Sequence, residues 1–314
     1  MRDERAARPA AGTGWRLLLR VLRRLPQPAL SRLAGRIADV PIPRPFRRAV
    51  LGAFARLARI DVGEAEHPLA DYPSIGALFV RRLRAGARSW PTAAAAVAAP
   101  VDGRLGEAGR IEDGRLLQAK GRGYTVAELL ADEDDAARFR QGVFFTFYLS
   151  PRDYHRIHAP IAGQVIALRR IAGALLPVND AAVASVDRLF PRNERAICML
   201  DGPAGRVAVV AIGAFNVGRI TASFLARDGG GGTQITNLRG ADPGPALLDR
   251  AIAVERGAEL MAFHLGSTVV LLFEPHRIES ASTRGRGTTV RLGSRIGTIV
   301  PADNTEDDAF SEGK

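Results

Sequence analysis

Cysteine is nearly missing from this chain. Cys198 is the single one in 314 residues, so no disulfide can form within the molecule and a reducing, intracellular setting is expected. Lysine is almost as scarce, present only as Lys120 and Lys314, which leaves Lys120 as the sole credible partner for a pyridoxal-type cofactor. No uninterrupted apolar run approaches the ~18 residues of a spanning helix. Neither a GxGxxG turn nor a Walker lysine pattern is present, and the glycine-rich "RDGGGGT" (227–233) reads as a loop and not as a phosphate cradle. There is no internal repeat. No cysteine cluster or third ligand accompanies the histidines, so no metal site is expected.

What the chain does have is apolar content of 46%, enough for a full core, and a formal net charge of +11. That charge is concentrated. Residues 1–60 hold fourteen arginines against three acidic side chains, and the remaining chain is balanced at thirty of each. In "GWRLLLRVLRRL" (14–25), Arg16, Arg20, Arg23 and Arg24 recur on one helical face and Trp15, Leu18, Leu19 and Leu22 on another. "PFRRAVLGAFARLARI" (45–60) likewise sets Phe46, Val50, Phe54 and Leu57 against Arg47, Arg48, Arg56 and Arg59. Basic amphipathic helices with aromatic residues on the apolar side point to an anionic membrane surface and not to nucleic acid. The arginines also interrupt any signal-peptide core, which argues against secretion.

Proline-marked turns at "PQP" (26–28) and "PIPRP" (41–45) separate these helices, and a boundary is expected near residue 70. The division is therefore 1–70, a basic helical segment, and 71–314, a catalytic domain. Beyond the boundary, short β-type runs at 142–149, 163–171, 206–215, 267–273 and 296–300 outnumber helical patterns, chiefly 125–140 and 245–256. Strands do not alternate regularly with helices. The expected fold is α+β, with a mainly antiparallel β core and N-terminal amphipathic helices.

Chemistry-bearing residues are few. "FYLSPRDYHRIHAP" (147–160) carries His155 and His158 just after a strand, suited to proton transfer near neutral pH and equally compatible with two turn histidines. "APVDGRL" (99–105) offers Asp102, either a plain Asp-Gly turn or an orienter. Gly266-Ser267-Thr268 reads as a tight turn entering an apolar strand, or as a nucleophile held at its mouth. Asp102, a histidine and Ser267 together have the composition of a nucleophile, base and orienter. A serine hydrolase would use the same three, but Ser267 lacks the G-x-S-x-G elbow. A non-catalytic membrane-binding protein is the remaining alternative.

Several motifs in one order carry a family resemblance: "LFVRRLRAGAR" (78–88), "APVDGRL" (99–105), "LLQAKGRGYTVAELL" (116–130), "YLSPRDYHRIHAP" (148–160), "LLPVN" (175–179), "LFPRNERAIC" (189–198), "VGRI" (217–220) and "FHLGSTVVLLFEP" (263–275). In these the chain resembles the bacterial phosphatidylserine decarboxylase proenzymes, membrane-associated pyruvoyl enzymes. Met261 and Arg122 depart from that pattern, where glycine and histidine are usual.

The resemblance implies self-cleavage between Gly266 and Ser267, with Ser267 as nucleophile, His158 as base and Asp102 as its orienter. It implies a β chain of 1–266 and an α chain of 267–314, which remain associated, the latter headed by a pyruvoyl group derived from Ser267. It implies phosphatidylserine as substrate and phosphatidylethanolamine as product, with His155 serving the substrate carboxylate or a proton. It further implies a peripheral position on the cytoplasmic face of the inner membrane, and a homodimer is compatible with it.

Overall fold

The computed structural model describes residues 24, 26–119, 121–215, 219–225, 232–238, 248, 250–264, 266–280 and 285–301. The stretch 14–25, apart from Arg24, lies outside them, as do Lys120 and most of 227–233. The expectations resting on those residues have no structural counterpart here.

An eight-stranded antiparallel sheet forms the frame. Its strands run in the spatial order Ile252–Val254, Gly163–Ile171, Arg195–Gly202, Gly205–Ile212, Ser267–Phe273, Val143–Leu149, Gly103–Arg110 and Thr289–Val290. The central strand "STVVLLF" is buried at all seven positions, which is why it reads as a continuous apolar run instead of an alternating one. β-Branched and aromatic residues on its two neighbours, "GRVAVVAI" and "VFFTFYL", supply the cross-strand partners. A second sheet, ordered Thr233–Gln234, Ile220–Ala222, Glu259–Phe263 and Arg156–His158, is likewise antiparallel. The α+β expectation with a β-rich core is met.

The helices are short where the sequence pattern is interrupted. The expected 125–140 helix is two pieces, Val126–Leu130 and Glu133–Arg138. Thr125 and Glu128 form a capping box on the first, Ala131 ends it in the left-handed region at φ 52°, and the Asp132 carboxylate caps the second. The expected 245–256 helix is corrected: its described portion includes the edge strand Ile252–Val254, whose amides pair with Gly163–Val165. Sheet pairing overrode a weak helical period.

Two amphipathic helices, Gln27–Ala38 and Arg44–Ala58, precede the sheet. The second buries Leu51 and Ala55 in a small cluster with Ile60, Tyr72 and Leu78, against which Phe54 also packs. Phe46, Val50 and Leu57 stay exposed, as do Leu33, Ile37 and Val40 before them. The expected apolar face thus divides into a stripe facing the protein and another facing outward. No described helix is long and apolar enough to cross a membrane.

Asn193 ties a loop to the frame. It is fully buried; its Nδ2 donates to the carbonyls of Leu176 and Gly213, and its Oδ1 accepts from the Leu176 amide. Asn193→Ala strands three buried backbone groups and is expected to cost about 2–4 kcal/mol, read as a lower urea midpoint at unchanged slope. A midpoint within error of the parent would refute this role.

Candidate active site

Ser267 is the first residue of the central strand, paired opposite Leu149, and its side chain is fully buried. From Leu149 the neighbouring strand leaves the sheet through a tight turn. Asp153 Oδ2 accepts from both the amide and the hydroxyl of Ser150 at 2.7 Å, and the Asp153 amide donates back to the Ser150 carbonyl. This reversal returns His155 beneath the Gly266–Ser267 peptide. A Cβ built on Gly266 would sit 3.9 Å from His155 Nε2 and 3.4 Å from the Leu149 carbonyl oxygen, which places the imidazole and that carbonyl in contact distance of this peptide.

The tautomer of His155 follows from its partner. Nδ1 faces the Asp153 carbonyl at 2.8 Å, an acceptor, so Nδ1 carries the hydrogen and Nε2 the lone pair. Phe79 packs on the ring with centroids 4.2 Å apart. Burial pushes the imidazole down to about 3, opposed by the Asp153 carbonyl and reinforced by the nearby Arg81 charge, so it is neutral at physiological pH. His155 Nε2 and Ser267 Oγ are both buried without a hydrogen-bond partner. Orphaned buried polar atoms are rare, and two beside one peptide bond mark a site built for something other than stability.

His158 lies on the short strand Arg156–His158 and is also largely buried. Its Nδ1–H donates to the Gly257 carbonyl at 2.7 Å, its Nε2 accepts from the Tyr154 hydroxyl at 3.0 Å, and Trp90 lies 5.9 Å away, ring to ring. Burial lowers its pKa, while the Gly257 carbonyl, Glu259 and Asp102 pull it upward. Asp102 precedes Gly103, where a Cβ would come within 2.6 Å of the Tyr148 carbonyl oxygen. Its carboxylate is held by the Arg88 guanidinium through both oxygens and by the Leu292 amide at 2.7 Å. Direct orientation of His158 by Asp102 is therefore corrected: no hydrogen bond joins them. The Gly257 carbonyl orients the ring, and Asp102 acts on it only through charge.

Several residues here were not singled out from sequence. Arg88 links Asp102 to Glu64, at 2.7 Å from the latter, and its own pKa is driven upward by the two carboxylates against the cost of burial. Arg81 is 3% exposed, with Nε and Nη1 unpartnered. Both lie in "LFVRRLRAGAR", which the sequence carried only as one motif of the family resemblance. Of the two departures from the family pattern, Met261 is a buried strand residue next to a bulge, and Arg122 is ion-paired to Asp187.

Comparison with known proteins bears on this arrangement. The family model described as phosphatidylserine decarboxylase matches residues 75–298. The "Phosphatidylserine decarboxylase proenzyme" of Anaeromyxobacter sp. (strain K) is 45% identical over 90% of this chain and 98% of that protein. Proteins of the same name from Myxococcus xanthus and Brevibacillus brevis are 41% and 36% identical, over 90% and 91% of this chain and 98% and 99% of their own length. The chain belongs to the phosphatidylserine decarboxylase family. It is accordingly an enzyme, a decarboxylase.

The buried histidines have a consequence for stability. His155 and His264 are each pushed down to about 3, chiefly by burial, and His158 is lowered as well. An unfolded histidine takes a proton near pH ~6.5, so the unfolded state binds more protons below that value. The stabilising contribution is fully present above it and is lost as pH falls. Glu107 and Glu194, raised by burial, work in the opposite sense. The urea midpoint should therefore be compared between parent and His155→Gln from pH 7.5 to 5, where the parent is expected to lose stability more steeply. Parallel curves would show that His155 titrates normally.

Proposed function

We propose that this enzyme converts phosphatidylserine to phosphatidylethanolamine with a pyruvoyl group made from Ser267. The observation that carries the reading is the pair of buried, unpartnered polar atoms, Ser267 Oγ and His155 Nε2, at the Gly266–Ser267 peptide. Ser267 Oγ attacks the Gly266 carbonyl carbon, the Gly266–Ser267 C–N bond breaks, and an ester joins the two chains. Loss of the Ser267 α-hydrogen then expels the Gly266 carboxylate and leaves dehydroalanine, which takes up water and releases ammonia to give the pyruvoyl terminus. That carbonyl supplies an electrophile for the substrate amine and a sink for the electron pair left as carbon dioxide departs.

The serine proton needs an acceptor that tolerates charge. Burial lowers both histidines, but His158 has two carboxylates, Glu259 and Asp102, against one cation, Arg156, whereas His155 has only the Arg81 cation, so His158 is the better reservoir for a proton. His155, neutral and against the site of the future carbonyl, is placed to exchange a proton with the substrate. A second reading, with His155 as the cleavage base, is favoured by its nearness to Gly266.

The central strand pairs with Val143–Leu149 from Ser267 and with Gly205–Ile212 from Thr268, so a sheet ladder would hold the two product chains together. Exposed Leu33, Ile37, Phe46, Val50 and Leu57, flanked by exposed Arg36, Arg44, Arg48 and Arg59, suit peripheral contact with an anionic membrane on its cytoplasmic side.

Ser267→Ala is expected to remain one chain of 33.6 kDa, inactive, by intact mass; cleavage at that bond in the variant would overturn the proposal. His158→Ala should stay uncut. His155→Ala should yield two chains and then decarboxylate about 10²- to 10⁴-fold more slowly. The reverse pattern establishes the second reading.

For the membrane contact, Leu33→Ser/Ile37→Ser/Phe46→Ser together should reduce sedimentation with vesicles containing anionic lipid. Added salt should weaken what remains, since each surface arginine contributes about 1 kcal/mol and is screened within roughly 10 Å. Undiminished binding would move the contact elsewhere.

A further inference from the structure

A cavity of about 270 Å³ lies where the Gln27–Ala38 helix meets the second sheet. Ser31, Arg32, Gly35 and Arg36 line it from the helix, and Arg219 and His264 from the sheet side. Three arginines face one carboxylate, Asp39, which pairs with Arg219 at 2.7 Å. Arg32 is spent on a neutral partner, the Asn237 side-chain oxygen at 2.8 Å. Arg36 is exposed and has no partner among the described residues. His264 adds no charge: its Nδ1 accepts from Arg219 at 2.7 Å and its pKa is pushed down to about 3 by burial and the neighbouring arginines.

The cavity walls also hold orphaned groups. Ser31 Oγ and Arg219 Nε are buried and make no hydrogen bond. Donors and cations arranged around a concave site with surplus positive charge call for a ligand that only accepts, carries negative charge and presents oxygens in several directions. A tetrahedral phosphate does so.

Position supplies the source of that phosphate. Leu33 and Ile37, exposed on the same helix, lie on its outward side. His264 lies on the other side of the cavity, two residues before Gly266 and the reacting bond. The helix thus joins an outward apolar face to an arginine-lined cavity, one of whose lining residues, His264, is two positions from the reacting bond in the chain. A phospholipid presents acyl chains, phosphate and amino-acid head group in that order. We infer that this cavity binds the phosphodiester of the lipid substrate, with Arg36, Arg219 and Ser31 as its ligands. The inference rests on the proposed function, since it takes the substrate to be a phospholipid decarboxylated at residue 267.

Gly35 provides a clean test. A Cβ there meets nothing within 4 Å, so Gly35→Leu keeps the helix and places its bulk in free space at the cavity wall. Gly35→Leu and Arg36→Gln are compared with the parent, using water-soluble short-chain phosphatidylserine below its micelle concentration so that membrane binding plays no part. Both variants should process fully on a gel and keep kcat, with KM raised about tenfold or more, the scale of a charge-assisted hydrogen bond. Glycerophosphoserine should compete with substrate and do so more weakly against both variants. Unchanged KM in both variants overturns the assignment, as does a KM effect seen only on bilayers. Inorganic phosphate that binds without competing with substrate would identify a free-anion site and also overturn it. Failure of the underlying function is separate: the parent itself would stay uncut or leave the short-chain lipid intact.

Discussion

The burial of Ser267 at the head of a strand hydrogen-bonded on both sides is the constraint on which the rest depends. A hydroxyl placed there cannot be solvated, so it either finds a protein partner or remains unpaired, and here it remains unpaired. The ladder from Thr268 to Phe273 onto both Gly205–Ile212 and Val143–Leu149 fixes the backbone immediately after the Gly266–Ser267 peptide. In the proposed cleavage, fixing the backbone on the Ser267 side of that peptide would leave the attacking oxygen little freedom to wander, which is the entropic part of intramolecular catalysis. The same ladder would outlast cleavage, since the broken bond lies at the strand's edge and not inside it.

Electrostatics around that bond follow from dryness. Imidazoles with little access to water stay neutral, and each has its Nδ1 or Nε2 hydrogen assigned by a fixed acceptor: the Asp153 carbonyl for His155, the Gly257 carbonyl for His158, Thr221 for His264. The charges sit one layer out, in the Glu64–Arg88–Asp102 chain and the Arg156–Glu259 pair at 2.5 Å. Removing one member of such a buried set leaves an uncompensated charge, which is costlier than the pair is stabilising. Burial, reinforced by the Arg81 charge, keeps His155 from protonating, while at His158 burial and Arg156 are opposed by Glu259 and Asp102. Two histidines three residues apart thereby differ in having carboxylates near the one and none near the other.

The sequence made the sheet legible and the contacts within the site much less so. "STVVLLF", "VFFTFYL" and "GQVIALRRI" announce strands because apolar, β-branched runs bounded by glycine and proline have few other stable uses. The Ile252–Val254 strand was hidden because three residues carry no period, and only its partner Gly163–Val165 decides the matter. Composition offered Asp102, a histidine and Ser267 as one set and the family resemblance chose His158, yet neither pointed to Arg88, the partner that the fold brings to Asp102. Whether a given arginine is surface or anchor is written in the fold and not in the local pattern.

The Gln27–Ala38 helix joins these levels. Its inner face is fastened to the catalytic sheets by Gln27 on the Leu175 amide, by Arg32 on Asn237 and by Asp39 on Arg219. Its outer face leaves Leu33 and Ile37 bare. Polar anchors on one side hold the helix where exposed apolar residues would otherwise favour burial of that outer stripe against the protein. An element pinned this way transmits position: whatever its outer face rests upon is held at a fixed distance from Arg219, and through the Arg219–His264 contact from the residues leading to Gly266. The Gln27–Ala38 helix, which lies between the two basic amphipathic stretches read from the sequence, thus touches the protein through polar anchors on one face and leaves an apolar face outward.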